Sequence, residues 1–169
     1  MTKIIQATFP EHRHVVRDLF GEYLRWVCTR IYEEYQAVFD PEPMIVHDME
    51  TIDLFLPPKG LLLVAFEDHL AAGCACTRTI GDRTAELKRM YVRPSHRRKG
   101  IGGALLEEAL QRVKQLNYAE IRLDSAAFMA DAHRVYKSHG FRETPPYDES
   151  EIPVEYRKYW VFMSLRLGR

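Results

Sequence analysis

Apolar residues recur at helical spacing early in the chain and then switch to continuous runs. Val15, Val16, Leu19, Phe20, Tyr23, Leu24 and Val27 fall on one face of a 3.6-residue repeat, with charged residues opposite. The pattern predicts an amphipathic helix that begins after Pro10 and runs to Tyr35. A short β-prone segment, Lys3 to Phe9, precedes it. Asp40-Pro41-Glu42-Pro43 reads as a break. A shorter helix is expected between His47 and Leu56, closed by Pro57-Pro58.

The period then changes. Leu61 to Phe66 is an unbroken apolar run, as expected of a strand covered on both faces. Glu67-Asp68-His69 and Gly81-Asp82-Arg83 read as turns. They set off two more strands, Leu70 to Ile80 and Ala85 to Val92. Three strands with such short links predict an antiparallel meander. Pro94 stops the third. A helix follows from Ile101 to Leu116, its buried side carrying Leu105, Leu106, Ala109, Leu110 and Val113. Ile121 to Leu123 is a short strand. Another helix ends near His139, where Gly140 is a normal stop. Phe141 to Thr144 is strand-like, 145–158 is a polar loop and Tyr159 to Leu167 is a last strand. The expected fold is α+β. A single domain over 1–169 has helices on both faces of a mixed, mostly antiparallel sheet.

Composition narrows the function classes. Of 169 residues, 24 are Lys or Arg and 24 are Asp or Glu, so the net charge is zero. Nucleic-acid binding usually needs a basic surplus, and no nucleic-acid partner is expected. The apolar runs are far shorter than the roughly 20 residues that cross a bilayer. The N-terminus has no signal-peptide pattern. No membrane association and a cytoplasmic location are therefore expected. Cys28, Cys74 and Cys76 make no disulfide framework and read as small buried side chains. No metal-ligand spacing occurs, so no metal is expected.

One segment carries chemistry: Met90-Tyr91-Val92-Arg93-Pro94-Ser95-His96-Arg97-Arg98-Lys99-Gly100-Ile101-Gly102-Gly103-Ala104. A strand ends, a basic glycine-rich turn follows, and a helix begins. A helix start offers unpaired N–H groups and the positive end of the dipole. Glycines let a phosphate approach the backbone, and Arg97, Arg98 and Lys99 add charge. The phosphate-loop pattern is absent. The dinucleotide fingerprint fails because Leu105 stands where a third glycine is required. What remains is Arg97-x-x-Gly100-x-Gly102.

That turn resembles the coenzyme A site of the GCN5-related N-acetyltransferases (GNAT family), whose signature is Gln/Arg-x-x-Gly-x-Gly/Ala between a strand and a helix. The preceding Met90-Tyr91-Val92 and the downstream Ala132-x-x-x-Tyr136-x-x-x-Gly140-Phe141 are similar to further family motifs. The resemblance covers about Leu61 to Phe141. It implies an enzyme that moves an acetyl group from acetyl-CoA to a primary amine, by direct attack in a ternary complex. It implies that the backbone from Arg98 through Lys99, Gly100, Ile101, Gly102 and Gly103 to Ala104 holds the pyrophosphate, with Arg97 and Lys99 near its oxygens. Met90, Tyr91 and Val92 would pair with the pantetheine arm, and the Met90 N–H would polarise the thioester carbonyl. Tyr136 would protonate the leaving thiolate, and Glu86 would be the base for the amine, or else a structural ion-pair partner of a nearby Lys or Arg. Tyr91 and His133 are alternative bases. One departure is Met129, where the family often carries an asparagine that bonds the arm.

The acceptor is expected to be a small-molecule amine. The alternatives are a protein or peptide amine, or a non-catalytic acyl-CoA-binding module. Residues 11–56 and the loop 145–158 should shape its site. Asp148, Glu149 and Glu151 read as a solvated acidic run. A homodimer is expected by family analogy only.

Overall fold

The computed structural model describes residues 1–168. Seven strands form one sheet: β1 (Thr2–Gln6), β2 (Gly60–Glu67), β3 (Leu70–Gly81), β4 (Thr84–Val92), β5 (Glu120–Ala126), β6 (Arg142–Glu143) and β7 (Trp160–Arg166). Their spatial order is β1-β2-β3-β4-β5-β7-β6. All neighbours are antiparallel except β4 and β5. The predicted meander is β2-β3-β4, and the α+β architecture stands.

Four helices cover the sheet: α1 (Arg13–Tyr35), α2 (Pro41–Glu50), α3 (Ile101–Gln115) and α4 (Ala130–Ser138). Period-2 alternation along the strands sends side chains to two separate cores. Leu61, Leu63, Ala85, Leu87, Ile121 and Leu123 meet Leu105, Leu106 and Val113 of α3. Leu62, Val64, Cys74 and Cys76 meet Val16, Leu19 and Phe20 of α1 and Met49 of α2. Cys74 and Cys76 do share a face, and all three cysteines are buried and free.

Two predicted boundaries move. The Asp40-Pro41 break is a helix start: the Asp40 side chain accepts from the Glu42 N–H, and Pro41 occupies the first turn. A capping aspartate and a proline read locally like a breaker, but both are favoured at an N-terminus. The helix expected to Leu56 ends at Glu50 and passes into a 3₁₀ turn, Ile52–Phe55. The loop 145–158 holds a further 3₁₀ turn at its end, Val154–Tyr159.

Two features of β4 position the site. Its pairing with β5 lasts three residues, Thr84, Ala85 and Glu86 against Glu120, Ile121 and Arg122. Beyond that, β5 continues along β7 to Ala126 while β4 leaves it. The second feature is a bulge. Cys74 pairs with Tyr91 but Cys76 pairs with Lys88, so β4 carries an extra residue there. Arg89 takes it up at φ 50°. Two carbonyls around the bulge are met by thiols: Cys74 donates to Arg89 O at 3.3 Å and Cys76 to Lys88 O at 3.2 Å. The bulge turns β4 away from β5 and opens the sheet.

Candidate active site

A cavity of about 880 Å³ fills the gap where β4 and β5 part. One end lies at the start of α3. Gly100 caps that helix at φ 79°, no side chain caps it, and its first turn holds no acidic residue. A Cβ at Gly100 or Gly103 would meet nothing within 4 Å, so both face open space. The first-turn N–H groups have no partners within a helix, and the dipole is positive at that end. Uncovered donors, an open glycine cradle and uncompensated positive charge fit a pyrophosphate group.

Of the cofactor residues expected from sequence, Met90, Tyr91, Val92, Arg97, Arg98, Gly100, Ile101, Gly102 and Gly103 line this cavity. Lys99 and Ala104 stand outside its wall. Lys99 Nζ is paired with Glu67 Oε2 at 2.8 Å. Arg97 turns back, its Nε donating to Val92 O at 2.9 Å and its guanidinium 5.2 Å above the Trp26 ring. From Leu87 to Val92 the edge of β4 that faces β5 has no strand partner. A backbone edge lining a cavity must find partners there. An extended amide-bearing arm suits it.

Tyr136 of α4 lies midway along the cavity and is 7% exposed. Its hydroxyl makes no side-chain hydrogen bond among the described residues. Burial pushes its pKa above the usual tyrosine range, and the charges of Tyr23 and Asp124 add to the rise. Tyr23 of α1 is raised to about 12, again chiefly by burial. Both phenols are therefore protonated at neutral pH.

Glu86 sits differently from the expectation for a base in contact with substrate. It is fully buried and does not line the cavity. Oε1 accepts from Arg78 Nε at 2.9 Å and lies 3.5 Å from Lys88 Nζ. Oε2 accepts from the Tyr147 hydroxyl at 2.8 Å. Two carboxylates do line the cavity: Asp131 at the start of α4, exposed and paired with Arg134, and the part-buried Asp124 of β5. Its Oδ2 accepts from Ser150 Oγ at 2.9 Å and lies 3.5 Å from the Tyr147 hydroxyl. Among the described residues, no cation pairs with it and its Oδ1 has no donor. Sequence reading missed Asp124. It lies two residues beyond the last β4–β5 pair, where the sheet opens, a place that only the strand pairing reveals.

His133, an alternative base, is buried and does not line the cavity; its Nε2 lies 3.0 Å from Ser125 Oγ. Burial lowers its pKa. Met129 also lines the cavity, where it offers a thioether in place of an amide. The roof is aromatic. Tyr23 packs on Tyr91, Trp26 meets Phe128 edge-on, and Arg30 caps Phe128 at 4.7 Å. Glu151, expected in solvent, instead faces Lys88, Arg78 and Arg89.

A parted sheet with an anion-binding turn at one end and a buried tyrosine in the gap defines a coenzyme A-type acyltransferase fold. Residues 24–141 match the model of the acetyltransferase (GNAT) family, and the chain belongs to that family. An uncharacterised N-acetyltransferase of Schizosaccharomyces pombe is 39% identical over 115 residues, 67% of this chain and 68% of that protein. Two solved structures share the fold along nearly their whole length. A GNAT-family acetyltransferase of Staphylococcus aureus has a TM-score of 0.75 at 20% identity, covering 99% of this chain and 100% of that one. The PaiA N-acetyltransferase of Thermoplasma acidophilum, solved with coenzyme A, has a TM-score of 0.74 at 22% identity, covering 98% and 99%. The protein is thus an N-acetyltransferase. Among the described residues no helix is long and apolar enough to cross a membrane.

Proposed function

We propose that residues 1–169 act as one unit that transfers an acetyl group from acetyl-CoA to the amine of a small molecule. The observation that carries this is the single continuous cavity joining the glycine turn, the unpaired edge of β4, Tyr136 and Asp124. Acetyl-CoA supplies a thioester whose acyl carbon is open to attack. The turn from Arg98 to Gly103 holds the pyrophosphate with backbone N–H groups. The edge from Met90 to Val92 aligns the arm, and the Met90 N–H stabilises charge on the carbonyl oxygen.

The amine arrives largely protonated, because an alkylammonium has a pKa near 10.4. Asp124 receives it and takes up the proton, directly or through water. Glu86 acts one step back. It holds Tyr147, whose oxygen lies 3.5 Å from Asp124, and the Ser150 hydroxyl fixes Asp124 itself. The Tyr136 hydroxyl gives its proton to the departing sulfur. Its raised pKa supports that role, since a general acid must hold its proton until the bond breaks. The aromatic roof of Tyr23, Trp26 and Phe128 favours a compact acceptor over a folded protein surface. Three buried free thiols fit a reducing compartment such as the cytoplasm.

The test is acetyl-CoA titration by calorimetry, followed by thiol-release assays over matched panels of small amines and peptides. Micromolar binding with turnover of small amines supports the reading. Turnover of peptides alone would replace the acceptor class. Binding without turnover on either panel would make the chain a non-catalytic acyl-CoA module.

A further inference from the structure

The acceptor end of the cavity holds more positive charge than its rigid frame balances. Lys88 and Arg89 of β4 line it, and Arg78 of β3 stands behind them, sharing Glu86 and Glu151 with Lys88. Glu86 engages Arg78 at 2.9 Å and lies 3.5 Å from Lys88. Asp48 of α2 holds Arg89 through two bonds, 2.6 and 3.0 Å. Sheet and helices thus set three cations against two carboxylates. The third carboxylate is Glu151, and it comes from the loop 145–158. It lies 2.7 Å from Lys88 Nζ, 3.1 Å from Arg78 Nη1 and 3.8 Å from Arg89 Nη2. The Lys88 side chain is only 5% exposed, whereas that of Glu151 is 38% exposed. A cation buried so deeply needs a counter-charge. Here the counter-charge arrives on an arm that reaches back to solvent.

We propose that Lys88, Arg78 and Arg89 form a carboxylate subsite, that Glu151 fills it until the acceptor binds, and that the acceptor is an amine bearing a carboxylate. The inference rests on the transfer reading above and names its substrate class. Glu151 turns one oxygen to Lys88 and the other to Arg78, the two-point contact that any carboxylate offers. Exchanging one carboxylate for another keeps the cluster neutral, so Lys88 is never left unpaired. Asp124, which has no cationic partner among the described residues, is left for the ammonium. Lys88, Arg89 and Asp124 line the same cavity. A compact zwitterion such as an amino acid can therefore span the two charges. An amine without an anionic group can use only the Asp124 end.

The experiment compares the free amino acids, β-alanine and 4-aminobutyrate with propylamine and butylamine. Parent, Glu151→Gln, Lys88→Met and Lys88→Arg are each assayed. The parent should favour the carboxylate-bearing amines. Glu151→Gln should lower their KM by about tenfold through lost competition, with no matching gain for propylamine. Lys88→Met should abolish the preference and Lys88→Arg should keep it. Thermal stabilisation by butyrate, stronger in Glu151→Gln than in the parent and lost in Lys88→Met, reads the subsite without turnover. Preference for propylamine in the parent would overturn the proposal. So would an equal effect of Glu151→Gln on both classes, which would make Glu151 a loop anchor only. If acetyl-CoA binds but no amine reacts, the transfer reading falls, and the butyrate measurement alone still decides the subsite.

Discussion

The Tyr147 hydroxyl donates a 2.8 Å hydrogen bond to Glu86 Oε2, across 61 residues of chain. That bond uses the one carboxylate oxygen of Glu86 that Arg78 and Lys88 leave free. Glu86 is thus an anchor inside the sheet. Removing one member of a buried ion pair costs about 3–5 kcal/mol, because the other charges stay behind. Glu86→Gln should lower unfolding free energy by about that amount in urea titrations. Turnover by the folded fraction should fall modestly and keep its pH profile. A variant that folds as well as the parent but loses the acid limb of its profile would restore Glu86 as the base.

Tyr136 offers a sharper sign. Its pKa is raised, mainly by burial, because a low-polarity site disfavours the phenolate. The protonated acid therefore persists well above the ordinary tyrosine pKa of about 10. The kcat profile should show no alkaline decline up to about pH 10. Tyr136→Phe should lower kcat by about 10²-fold or more while leaving coenzyme A affinity unchanged. A descending limb near pH 9 that disappears in the phenylalanine variant would contradict the burial argument.

The cofactor half of the site was legible because its determinants are local. Arg97-x-x-Gly100-x-Gly102 is a turn and a helix start, and six consecutive residues encode both. The acceptor half was not. Asp124, Tyr147, Ser150 and Glu151 come together only once β5 and β7 pair and the loop between β6 and β7 folds back. A linear pattern carries no trace of that. The partner of Glu86 was hidden for a related reason. Counting from the turn at Gly81-Asp82-Arg83 alone would set Thr79 opposite Glu86, but an irregularity between Thr79 and Gly81 shifts the register and puts Arg78 there. Asp40-Pro41 misled for the opposite reason: the residues that start a helix also end one, and only the following turn decides.

Gly103 separates binding from folding. It is the third residue of α3 after the cap, and a side chain there would enter open space. An aspartate near a helix N-terminus gains about 0.3–1 kcal/mol from the dipole. Gly103→Asp should therefore melt no lower than the parent. The same carboxylate lies where a pyrophosphate must sit, so coenzyme A affinity should fall by about 100-fold or more. Calorimetry and thermal melts on one sample measure both. Undiminished binding in a well-folded variant would move the phosphate site away from this turn.

Glu151 gives a stability signature at low pH. Although burial raises its pKa, the pull of Lys88, followed by Arg89 and Arg78, wins and leaves it lowered to about 2. A carboxylate with a depressed folded pKa stabilises the protein above its unfolded value, and the gain fades as pH falls through the folded one. The window here runs from the ordinary value of 4.5 down to about 2. Over that range the parent should lose more stability than Glu151→Gln, and the two curves should converge at the acid end. Parallel curves in urea titrations from pH 6 to about pH 3 would mean that the contact is not formed in solution.

Asp124 should show its role in the pH dependence of kcat/KM. It is the part-buried carboxylate of the cavity wall, held by the Ser150 hydroxyl at 2.9 Å. Replacing it with asparagine keeps the shape and the acceptor oxygen for Ser150 but removes both charge and basicity. Turnover at neutral pH should fall by about 10²-fold, the lower range for a lost general base. The loss should shrink at high pH, where the amine arrives already neutral and needs no base. A purely structural role predicts a loss that is the same at every pH. Ser150→Ala provides the control: it removes a hydrogen bond to Asp124 but leaves the charge, so it should cost far less and keep the parent's profile. If Asp124→Asn retained full activity at pH 7, the proton would have to leave by another path, and the assignment to Asp124 would be wrong.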